Sequence, residues 1–480
     1  MIPRPWAAWG GIVAVALLAA APALAWERRV RDASSAWAAA TTPTGDVFVA
    51  IPFPARRHEA KVGVAKLSAQ GRERWRRSLA VRAPEHSDEI YGLVVTAEGD
   101  VVAGGAIDVA SGLEFAAVRL SGRTGRLQWR RIVQGTQRIG AYHEARGIAL
   151  DPSGDVVLAG TLESATALQY HGTDDLAVVK LAGADGAERW RFVLDGTAQT
   201  YDSADRVAVD AAGDVIVAGM VANPAPTVTG YRADVTFMKL AGADGRLLWR
   251  TTVGAFVDER SLALDPAGNV LATGTYIAGT SPADFGVLKL DGATGTLRWT
   301  AAIDGSTNTW ESAFDVVALP SGDVAAVGFT GDYYTRASLT VAAFDGATGA
   351  ERWRRLIKGT DGWGIGRSIA VGPGGDVIVG GQLRNVESCY DVAVLELSAA
   401  TGATVMAQVL DGTATATACD APRDQEPCRG RCPFTGIGID RDELTSLAID
   451  RNGRIVFSGT LDDGRRGRSH AFAAQLDAAP

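Results

Sequence analysis

The sequence predicts an all-β protein, an eight-bladed β-propeller in which each blade is a sheet of four antiparallel strands. Three features of the 480 residues predict this fold: a Gly–Trp pair with a period of about 55 residues, an Asp-x-x-Gly turn that recurs with it, and four short strands per unit. Repeats of this length with four strands each are typical of propeller blades, which pack mainly on their neighbours.

The first feature is a Gly followed four residues later by Trp, at the start of the fourth strand of a unit. The complete pairs are Gly71/Trp75, Gly125/Trp129, Gly186/Trp190, Gly245/Trp249, Gly295/Trp299 and Gly349/Trp353. A seventh copy keeps Gly402 but carries Met406 in place of Trp. Arginines flank most of these Trp residues, so we expect the outermost strand to bury its Trp and to expose charge that discourages pairing with another chain.

The second feature is a turn of the Asp-x-x-Gly type that leads into an aliphatic run. Its glycines are Gly45, Gly99, Gly154, Gly213, Gly268, Gly322, Gly375 and Gly453, which define eight units. Turn geometry explains both residue types, because Asp bonds to its own backbone and Gly adopts a positive φ. The last interval is the longest and places a Cys-rich insertion at about 413–440, between blades 7 and 8.

The third feature is the set of four short strands within a unit, for example at 206–209, 214–219, 234–240 and 247–253. Turns rich in Gly, Asp and Pro separate these strands. The first strand mixes small and branched residues, as in Ser-Leu-Ala-Leu at 261–264, which suits the crowded centre of a propeller.

The two ends of the chain are expected to close the ring. The eighth unit stops after a third strand at 471–477, whereas the segment 26–30, Trp-Glu-Arg-Arg-Val, has the pattern of an isolated fourth strand. We therefore expect Trp26 and its neighbours to complete the last blade, which removes the open sheet edges. This assignment predicts a single propeller domain over residues 26–480.

Residues 1–25 have the pattern of a secretory signal peptide. Arg4 precedes an apolar run from Trp9 to Ala20, and Ala23-Leu24-Ala25 forms a small-x-small cleavage site before Trp26. We expect a secreted or periplasmic protein; an uncleaved membrane anchor is the alternative, although the run is near the lower length limit for a membrane span. The residue directly after the cleavage site is Trp26 and not Cys, so the sequence does not indicate a lipid anchor.

The charge balance of the chain disfavours nucleic acids as partners. The chain carries 47 Lys and Arg against 55 Asp and Glu, a formal net charge of -8. Nucleic-acid binding needs a concentrated basic surface, so the sequence disfavours it. No later apolar stretch approaches membrane-spanning length, so we expect no span after signal cleavage.

The repeats resemble known families. The segment 343–353, Ala-Phe-Asp-Gly-Ala-Thr-Gly-Ala-Glu-Arg-Trp, resembles the tryptophan-docking motif of eight-bladed quinoprotein-type propellers, known as PQQ-like repeats. The segments 210–219 and 234–240 are similar to the bacterial SBBP propeller repeat. The first resemblance implies either a quinone enzyme with adjacent cysteines, a calcium ion and an Asp base, or a propeller that only binds other proteins. The sequence has no Cys-Cys pair, so the quinone-dependent dehydrogenase is the less favoured implication.

The connections between strands distinguish the two faces of the predicted disc. The turns from strand one to two and from three to four are short and uniform, and they define the short-turn face. The connections from strand two to three and from four to the next blade vary in length, and they define the variable-loop face, where binding is expected. Its loops contain Tyr170, Tyr231, Tyr276, Tyr333, Tyr334 and Tyr390, which either supply contact area or pack over the rim.

Acidic residues recur just before the first strand of successive units, on the variable-loop face. We predict a ligand site at the mouth of the central channel from Asp88, Glu89, His143, Glu144, Asp202, Asp258, Glu311, Asp442 and Glu443. Oxygen ligands of this kind suit calcium, although no cofactor is assigned. The alternative is that each acid caps its own turn.

The four cysteines belong to one neighbourhood. Cys389 lies in the loop between strands two and three of blade 7, while Cys419, Cys428 and Cys432 lie in the insertion. An even count in an exported chain predicts two disulfides, with three possible pairings. A four-Cys zinc site is the alternative, but its usual Cys-x-x-Cys knuckles are absent.

These observations favour a monomeric, exported binding or scaffold module that engages an extracytoplasmic protein or polysaccharide on the variable-loop face. The alternative is an enzyme that uses the same face, a metal-dependent lyase or hydrolase. The motifs of serine hydrolases and helical zinc proteases are absent from the sequence.

Overall fold

The computed structural model shows an all-β architecture. It describes residues 13–14, 24–30, 33–53, 61–80, 88–109, 112–135, 141–163, 174–197, 201–223, 233–277, 283–305, 309–386, 389–410, 443–462 and 469–476. These residues form eight β-sheets and no helix. The predicted eight-bladed propeller of four-stranded antiparallel blades is confirmed.

The strands follow one another in blade order. Two strands precede the first complete blade, β1 (Val13–Ala14) and β2 (Leu24–Arg29). Blades 1 to 4 contain β3 (Ala38–Thr41), β4 (Val47–Phe53), β5 (Lys61–Leu67) and β6 (Glu73–Ser78); β7 (Glu89–Val95), β8 (Val101–Val109), β9 (Gly112–Leu120) and β10 (Leu127–Val133), with the short β11 (Ala141–Tyr142) beside β9; β12 (Glu144–Leu150), β13 (Val156–Glu163), β14 (Asp174–Leu181) and β15 (Glu188–Leu194); and β16 (Ser203–Val209), β17 (Val215–Ala222), β18 (Ala233–Leu240) and β19 (Leu247–Thr252).

Blades 5 to 8 repeat this arrangement. They contain β20 (Ser261–Leu264), β21 (Val270–Tyr276), β22 (Asp284–Leu290) and β23 (Leu297–Ile303); β24 (Ser312–Ala318), β25 (Val324–Thr330), β26 (Ser338–Phe344) and β27 (Glu351–Lys358); β28 (Trp363–Val371), β29 (Val377–Asn385), β30 (Cys389–Leu397) and β31 (Thr404–Leu410); and β32 (Glu443–Ile449), β33 (Ile455–Asp462) and β34 (Ser469–Leu476). The first strands of neighbouring blades adjoin one another around the centre.

Most first strands carry a bulge that lengthens them beyond the prediction. In blade 4 the strand begins at Ser203, three residues before the predicted start, and its register with β17 shifts between Ala204 and Arg206. A β-bulge bends the strand and redirects its side chains. The residues before the bulge thereby belong to the variable-loop face, where the predicted site lies.

The ring closes as predicted. Strand β2 pairs antiparallel with β34, so that Trp26 lies opposite Gln475, and the last blade has the order β2-β34-β33-β32. The Trp26 side chain is buried, and its indole N–H lies 3.0 Å from the Ala69 carbonyl oxygen of blade 1 and 2.9 Å from Gln475 Oε1. The N-terminal strand therefore joins blade 8 to blade 1.

The structure explains why Gly and Trp recur together. The Trp of one blade packs on the Gly of the next: a Cβ on Gly295, whose φ is 72°, would lie 2.6 Å from the Trp249 ring. The Trp249 indole N–H donates to the Gly292 carbonyl oxygen of that same turn at 3.2 Å. The other such contacts are Trp26 on Gly71, Trp75 on Gly125, Trp129 on Gly186, Trp190 on Gly245, Trp299 on Gly349 and Trp353 on Gly402. The repeat thus links neighbouring blades.

The Asp-x-x-Gly turns are structural, as the sequence indicates. Asp151 Oδ1 accepts hydrogen bonds from the backbone N–H groups of Ser153 and Asp155 at 2.8 and 2.9 Å. Its other oxygen forms an ion pair at 2.7 Å with Lys180 of the third strand. Burial opposes ionisation of Asp151, but these contacts outweigh it and lower its pKa. The turns hold the short-turn face together.

The hydrophobic core lies between blades. In one cluster Trp190 and Val178 of blade 3 pack with Val215 and Met238 of blade 4, all less than a tenth exposed. Each face of a sheet is covered by its neighbour, so the middle strands are apolar on both faces. This packing leaves chemistry to the loops and to the first strands.

Candidate functional site

The predicted residues that stand directly before a first strand are buried. Asp88, His143, Asp202 and Glu311 are each 1% exposed or less. The three acids each accept a hydrogen bond from a backbone N–H twenty residues further along: Asp88 from Asp108 at 2.8 Å, Asp202 from Ala222 at 2.6 Å and Glu311 from Gly331 at 2.7 Å. These carboxyl groups anchor the loop between the second and third strands.

Two of these acids also hold the segment that follows the previous blade. The second carboxylate oxygen of Asp202 accepts from the Gly196 N–H, and that of Glu311 accepts from the Gly305 N–H, both at 2.6 Å. Burial raises the pKa of each acid, and the backbone donors oppose the increase. Each side chain therefore joins three segments of the variable-loop face.

A second set of predicted acids stands one repeat position after these buried residues, at or just before the start of a first strand. Most of these acids contact a basic side chain. The Arg146 Nε lies 2.8 Å from Glu144, Arg260 lies 2.6 Å from Asp258, Arg367 lies 3.6 Å from Glu443, and the Tyr91 hydroxyl bonds to Glu89. Asp258 also accepts from the Thr275 N–H at 2.7 Å. Asp442 lies outside the described residues.

The eight predicted residues that the structure describes are distributed around the ring. Within the described residues, two of them instead take part in carboxylate triads: Asp202 with Asp175 and Asp195, and Glu311 with Asp284 and Asp304. In each triad, ligand atoms of the three groups lie within 4.8 Å of one another. The triads occur at the junctions of blades 3 with 4 and of blades 5 with 6.

The sequence patterns did not predict the other members of the triads. Asp175 and Asp284 stand five residues before Lys180 and Lys289 in the third strand, whereas Asp195 and Asp304 follow the Trp strand directly and precede a Gly. The repeated Asp-Gly after the Trp strand was a detectable signal. Its approach to the third strand depends on the strand lengths and register, which periodicity alone does not provide.

Electrostatic repulsion is concentrated in the first triad. Asp175 is 8% exposed and lies beside the carboxyl groups of Asp195, Asp202 and Asp174. Burial, followed by the charges of these neighbours, raises the pKa of Asp175 to about 6. Carboxyl groups crowded in this way favour a cation or a shared proton.

A histidine takes the corresponding place at the junction of blades 2 and 3. His143 Nδ1 lies 2.8 Å from Glu114 Oε2, and neither side chain is exposed. Glu114 occupies the repeat position of Asp175, and His143 occupies that of Asp202. Glu114 thus has a hydrogen-bond partner within the protein, and both side chains of the pair are buried.

A second polar network lies at the first strands of blades 3, 4 and 5. Arg146 of blade 3 pairs with Asp205 of blade 4 at 2.8 Å, and Ser203 donates to Asp205 at 2.7 Å. Asp205 also shares a hydrogen bond with Glu259 of blade 5, which is 6% exposed. Burial and the neighbouring Asp205 raise the pKa of Glu259 well above its usual value. This network joins three blades through their first strands.

An exposed aromatic patch lies on the variable-loop face of blades 6 and 7. We define it by Trp310, Tyr334 and Val386, which are 43%, 65% and 66% exposed. Trp310 is adjacent to Glu311, whose hydrogen bond to Gly331 ties it to the loop that carries Tyr334.

The aromatic patch rests on a packed base. Tyr334 contacts Tyr333, and Tyr333 contacts Phe329, with ring centroids 5.2 Å apart in both pairs. Buried Trp363 of blade 7 donates its indole N–H to the Tyr333 carbonyl oxygen at 2.7 Å and packs against Tyr390 at 5.0 Å. These edge-to-face ring contacts support the exposed groups before any partner arrives, which reduces the entropy cost of binding.

This propeller is similar to known proteins in both sequence and fold. The PQQ_2 family model, described as outer membrane protein assembly factor BamB, matches residues 114–408, more than half of the chain. The chain belongs to this family. The predicted resemblance to quinoprotein-like repeats is thereby confirmed. A search of curated proteins gives no match.

Solved structures similar to this PQQ_2 family chain have diverse functions. Sqt1 from Chaetomium thermophilum, bound to the N-terminus of the ribosomal protein L10, is 14% identical with a TM-score of 0.55, covering 94% of this chain and 98% of Sqt1. The quinohemoprotein alcohol dehydrogenase from Comamonas testosteroni is 12% identical with a TM-score of 0.55, covering 98% of this chain and 79% of the enzyme. BamB from Moraxella catarrhalis is 13% identical with a TM-score of 0.47, covering 94% and 99%. Likeness at such identities shows the fold alone.

The cysteines of this PQQ_2 family chain do not fit the quinone site that the resemblance implies. That site contains adjacent cysteines, whereas Cys389, Cys419, Cys428 and Cys432 are all separated in the sequence. Cys389 begins strand β30, and the other three lie outside the described residues. The two disulfides, the insertion at about 413–440 and the signal peptide therefore remain predictions. Among the described residues no helix is long and apolar enough to cross a membrane.

Proposed function

We propose that this PQQ_2 family protein is an exported, monomeric protein-binding propeller that engages its partner through the variable-loop face. The aromatic patch on blades 6 and 7 carries the proposal, because Trp310 and Tyr334 are exposed on a rigid base. Trp and Tyr are enriched among the residues that dominate protein interfaces. The description of the family as an outer membrane assembly factor supports an extracytoplasmic protein partner.

Two further observations support a protein partner. Sqt1, which has the same fold, was solved in complex with the N-terminus of another protein. Trp310 directly precedes Glu311 of the carboxylate triad with Asp284 and Asp304, and Asp304 is exposed. A partner segment with apolar and basic side chains would match both the patch and this charge.

Site-specific cross-linking tests the proposal. A photoreactive phenylalanine analogue replaces Tyr334 in one variant and Leu297 in another, because Leu297 is 43% exposed but lies on the outermost strand of blade 5. In extracts of the producing cells, we expect a discrete protein adduct from position 334, competed by unlabelled protein, and none from position 297. Equal labelling at both positions, or an adduct with carbohydrate only, contradicts the proposal.

The isolated partner then permits a quantitative test. The double variant Trp310→Ala and Tyr334→Ala should bind it at least about tenfold more weakly, corresponding to about 1.4 kcal/mol. The control variant Leu297→Ala has the same starting exposure as Trp310 and should bind normally. An unchanged affinity of the double variant would exclude the aromatic patch as the binding surface.

A further inference from the structure

The junction between blades 3 and 4 brings together three carboxylates from separate segments. Asp175 belongs to the third strand of blade 3, Asp195 follows the fourth strand, and Asp202 precedes the first strand of blade 4. One oxygen of each lies within 4.8 Å of the other two. Asp195 is exposed while Asp175 and Asp202 are buried, so the cluster opens to solvent on one side.

The state of Asp175 indicates that this cluster needs a ligand. Its side chain is 8% exposed, and no hydrogen-bond donor or basic side chain contacts it within the described part of the chain. Asp202, by comparison, accepts two backbone N–H groups at 2.6 Å. An enclosed carboxylate without a donor is costly, and it points toward two more carboxylates.

The same position has a partner where the sequence supplies one. At the preceding junction, Glu114 replaces Asp175 and bonds to the His143 ring at 2.8 Å. At the junction of blades 3 and 4, the residue in place of His143 is Asp202, a third acid. Within the described part of the chain, no Lys, Arg or His side chain forms an ion pair with any of these three acids. Arg250 acts on Asp202 only through its charge, and Asp174 adds a negative charge to Asp175.

We propose that Asp175, Asp195 and Asp202 bind a divalent cation of the calcium type. Calcium binds oxygen ligands at about 2.3–2.6 Å, so two ligands on opposite sides of one ion are separated by up to about 5 Å. The ligand atoms of the triad lie within 4.8 Å of one another, which is inside this span. Calcium also accepts irregular arrangements of oxygen ligands, whereas magnesium demands a nearly ideal octahedron.

The site would join blade 3 to blade 4 on the variable-loop face. Asp284, Asp304 and Glu311 occupy the same three repeat positions at the junction of blades 5 and 6. The recurrence shows that the geometry arises from the repeat itself. The proposal is independent of the protein-binding function, since it concerns a different junction from the aromatic patch.

Calcium titration of the metal-stripped full chain tests the site. We compare the wild type with Asp175→Asn and with Asp185→Asn, a control in the exposed short turn of the same blade. Isothermal titration with CaCl2 should show saturable binding with a Kd below about 1 mM, and Asp175→Asn should lower the number of bound ions by one. Asp185→Asn should bind as the wild type does. Identical titrations of the wild type and Asp175→Asn overturn the proposal.

Thermal unfolding provides a second readout that separates binding from misfolding. Without calcium, Asp175→Asn should melt at or above the wild-type temperature, because the substitution removes a repelled buried charge. With about 5 mM CaCl2, the wild type should gain more in melting temperature than the variant, since the ion binds only the folded state. A wild-type melting temperature that does not respond to CaCl2 contradicts the proposal, as does an equal gain in both proteins.

Discussion

At the scale of single residues, the ring depends on positions where only glycine fits. Gly295 has a φ of 72° and lies against the Trp249 ring, so any side chain there is both strained and displaced. The same contact between Gly and Trp occurs at every described junction between blades that carries a Trp. The contact explains why the spacing of Gly and Trp was the clearest signal in the sequence.

The first prediction concerns this glycine. Gly295→Ala should lower the free energy of unfolding by at least about 2 kcal/mol, because Ala is strained at a positive φ and its Cβ overlaps the Trp249 ring. Urea unfolding followed by Trp fluorescence measures the loss. The control is Gly254→Ala, since a Cβ at Gly254 meets no atom within 4 Å. Equal stability of both variants would contradict this account of the repeat.

The second prediction concerns the pair of Asp205 and Glu259. Burial and Asp205 raise the pKa of Glu259, so the folded protein holds a proton that the unfolded chain releases. The stability from this proton is complete at acid pH and is lost as the pH rises toward the raised pKa. The pKa of Asp205 is lowered despite its burial, by its hydrogen bond with Glu259 and the charge of Arg146.

Glu259→Gln should therefore reduce the loss of melting temperature between about pH 5 and pH 9. The amide still donates to Asp205 but cannot ionise, so the variant should match or exceed the wild type at the alkaline end. Melting temperatures measured by circular dichroism across this range provide the comparison. A variant with the full pH dependence of the wild type would show that Glu259 does not hold the proton.

At the scale of the strand, the outermost strand carries its Trp into the neighbouring blade. The Trp299 side chain is 7% exposed, and its indole N–H donates to the Gly346 carbonyl oxygen of blade 6 at 3.3 Å. Leu297, two residues earlier on the same strand, is 43% exposed. One strand thus supplies both the link between blades and an exposed outer surface.

The third prediction compares these two residues. Trp299→Ala should cost about 3–5 kcal/mol of stability, since it opens a cavity between blades 5 and 6 and leaves the Gly346 carbonyl group with only its hydrogen bond from Lys289. Leu297→Ala should change stability by less than about 0.5 kcal/mol, because its side chain is largely exposed. Chemical denaturation of both variants measures the difference. Similar small effects would place Trp299 outside the blade contact.

Strand patterns predicted most of the fold but only part of the candidate site. The Gly–Trp spacing identified the blades, and the isolated strand at Trp26 predicted ring closure, because both depend on local sequence. Asp202 and Glu311 were found by their recurrence before the first strand. Asp175 and Asp195 were missed, because their approach to Asp202 depends on how two strands and the next blade are aligned.

At the scale of the whole molecule, closure by the N-terminal strand fixes the positions of all eight blades. Strand β2 completes the last sheet, and Trp26 packs on Gly71 of the first blade. Without this strand the ring would expose the edge of β34 and the face of blade 1. The variable-loop face, with its aromatic patch and its carboxylate triads, holds its shape only while the ring is closed.

Deletion of residues 26–30 tests this central claim most directly. We predict that the shortened chain melts at a much lower temperature than the chain that keeps them, and that a synthetic peptide of residues 26–30 added in excess restores part of the loss. The control peptide carries Trp26→Ala and should not restore stability, because the contacts with Gly71 and Gln475 are then missing. A shortened chain that melts at the same temperature as the full chain would contradict closure of the ring by its N-terminal strand.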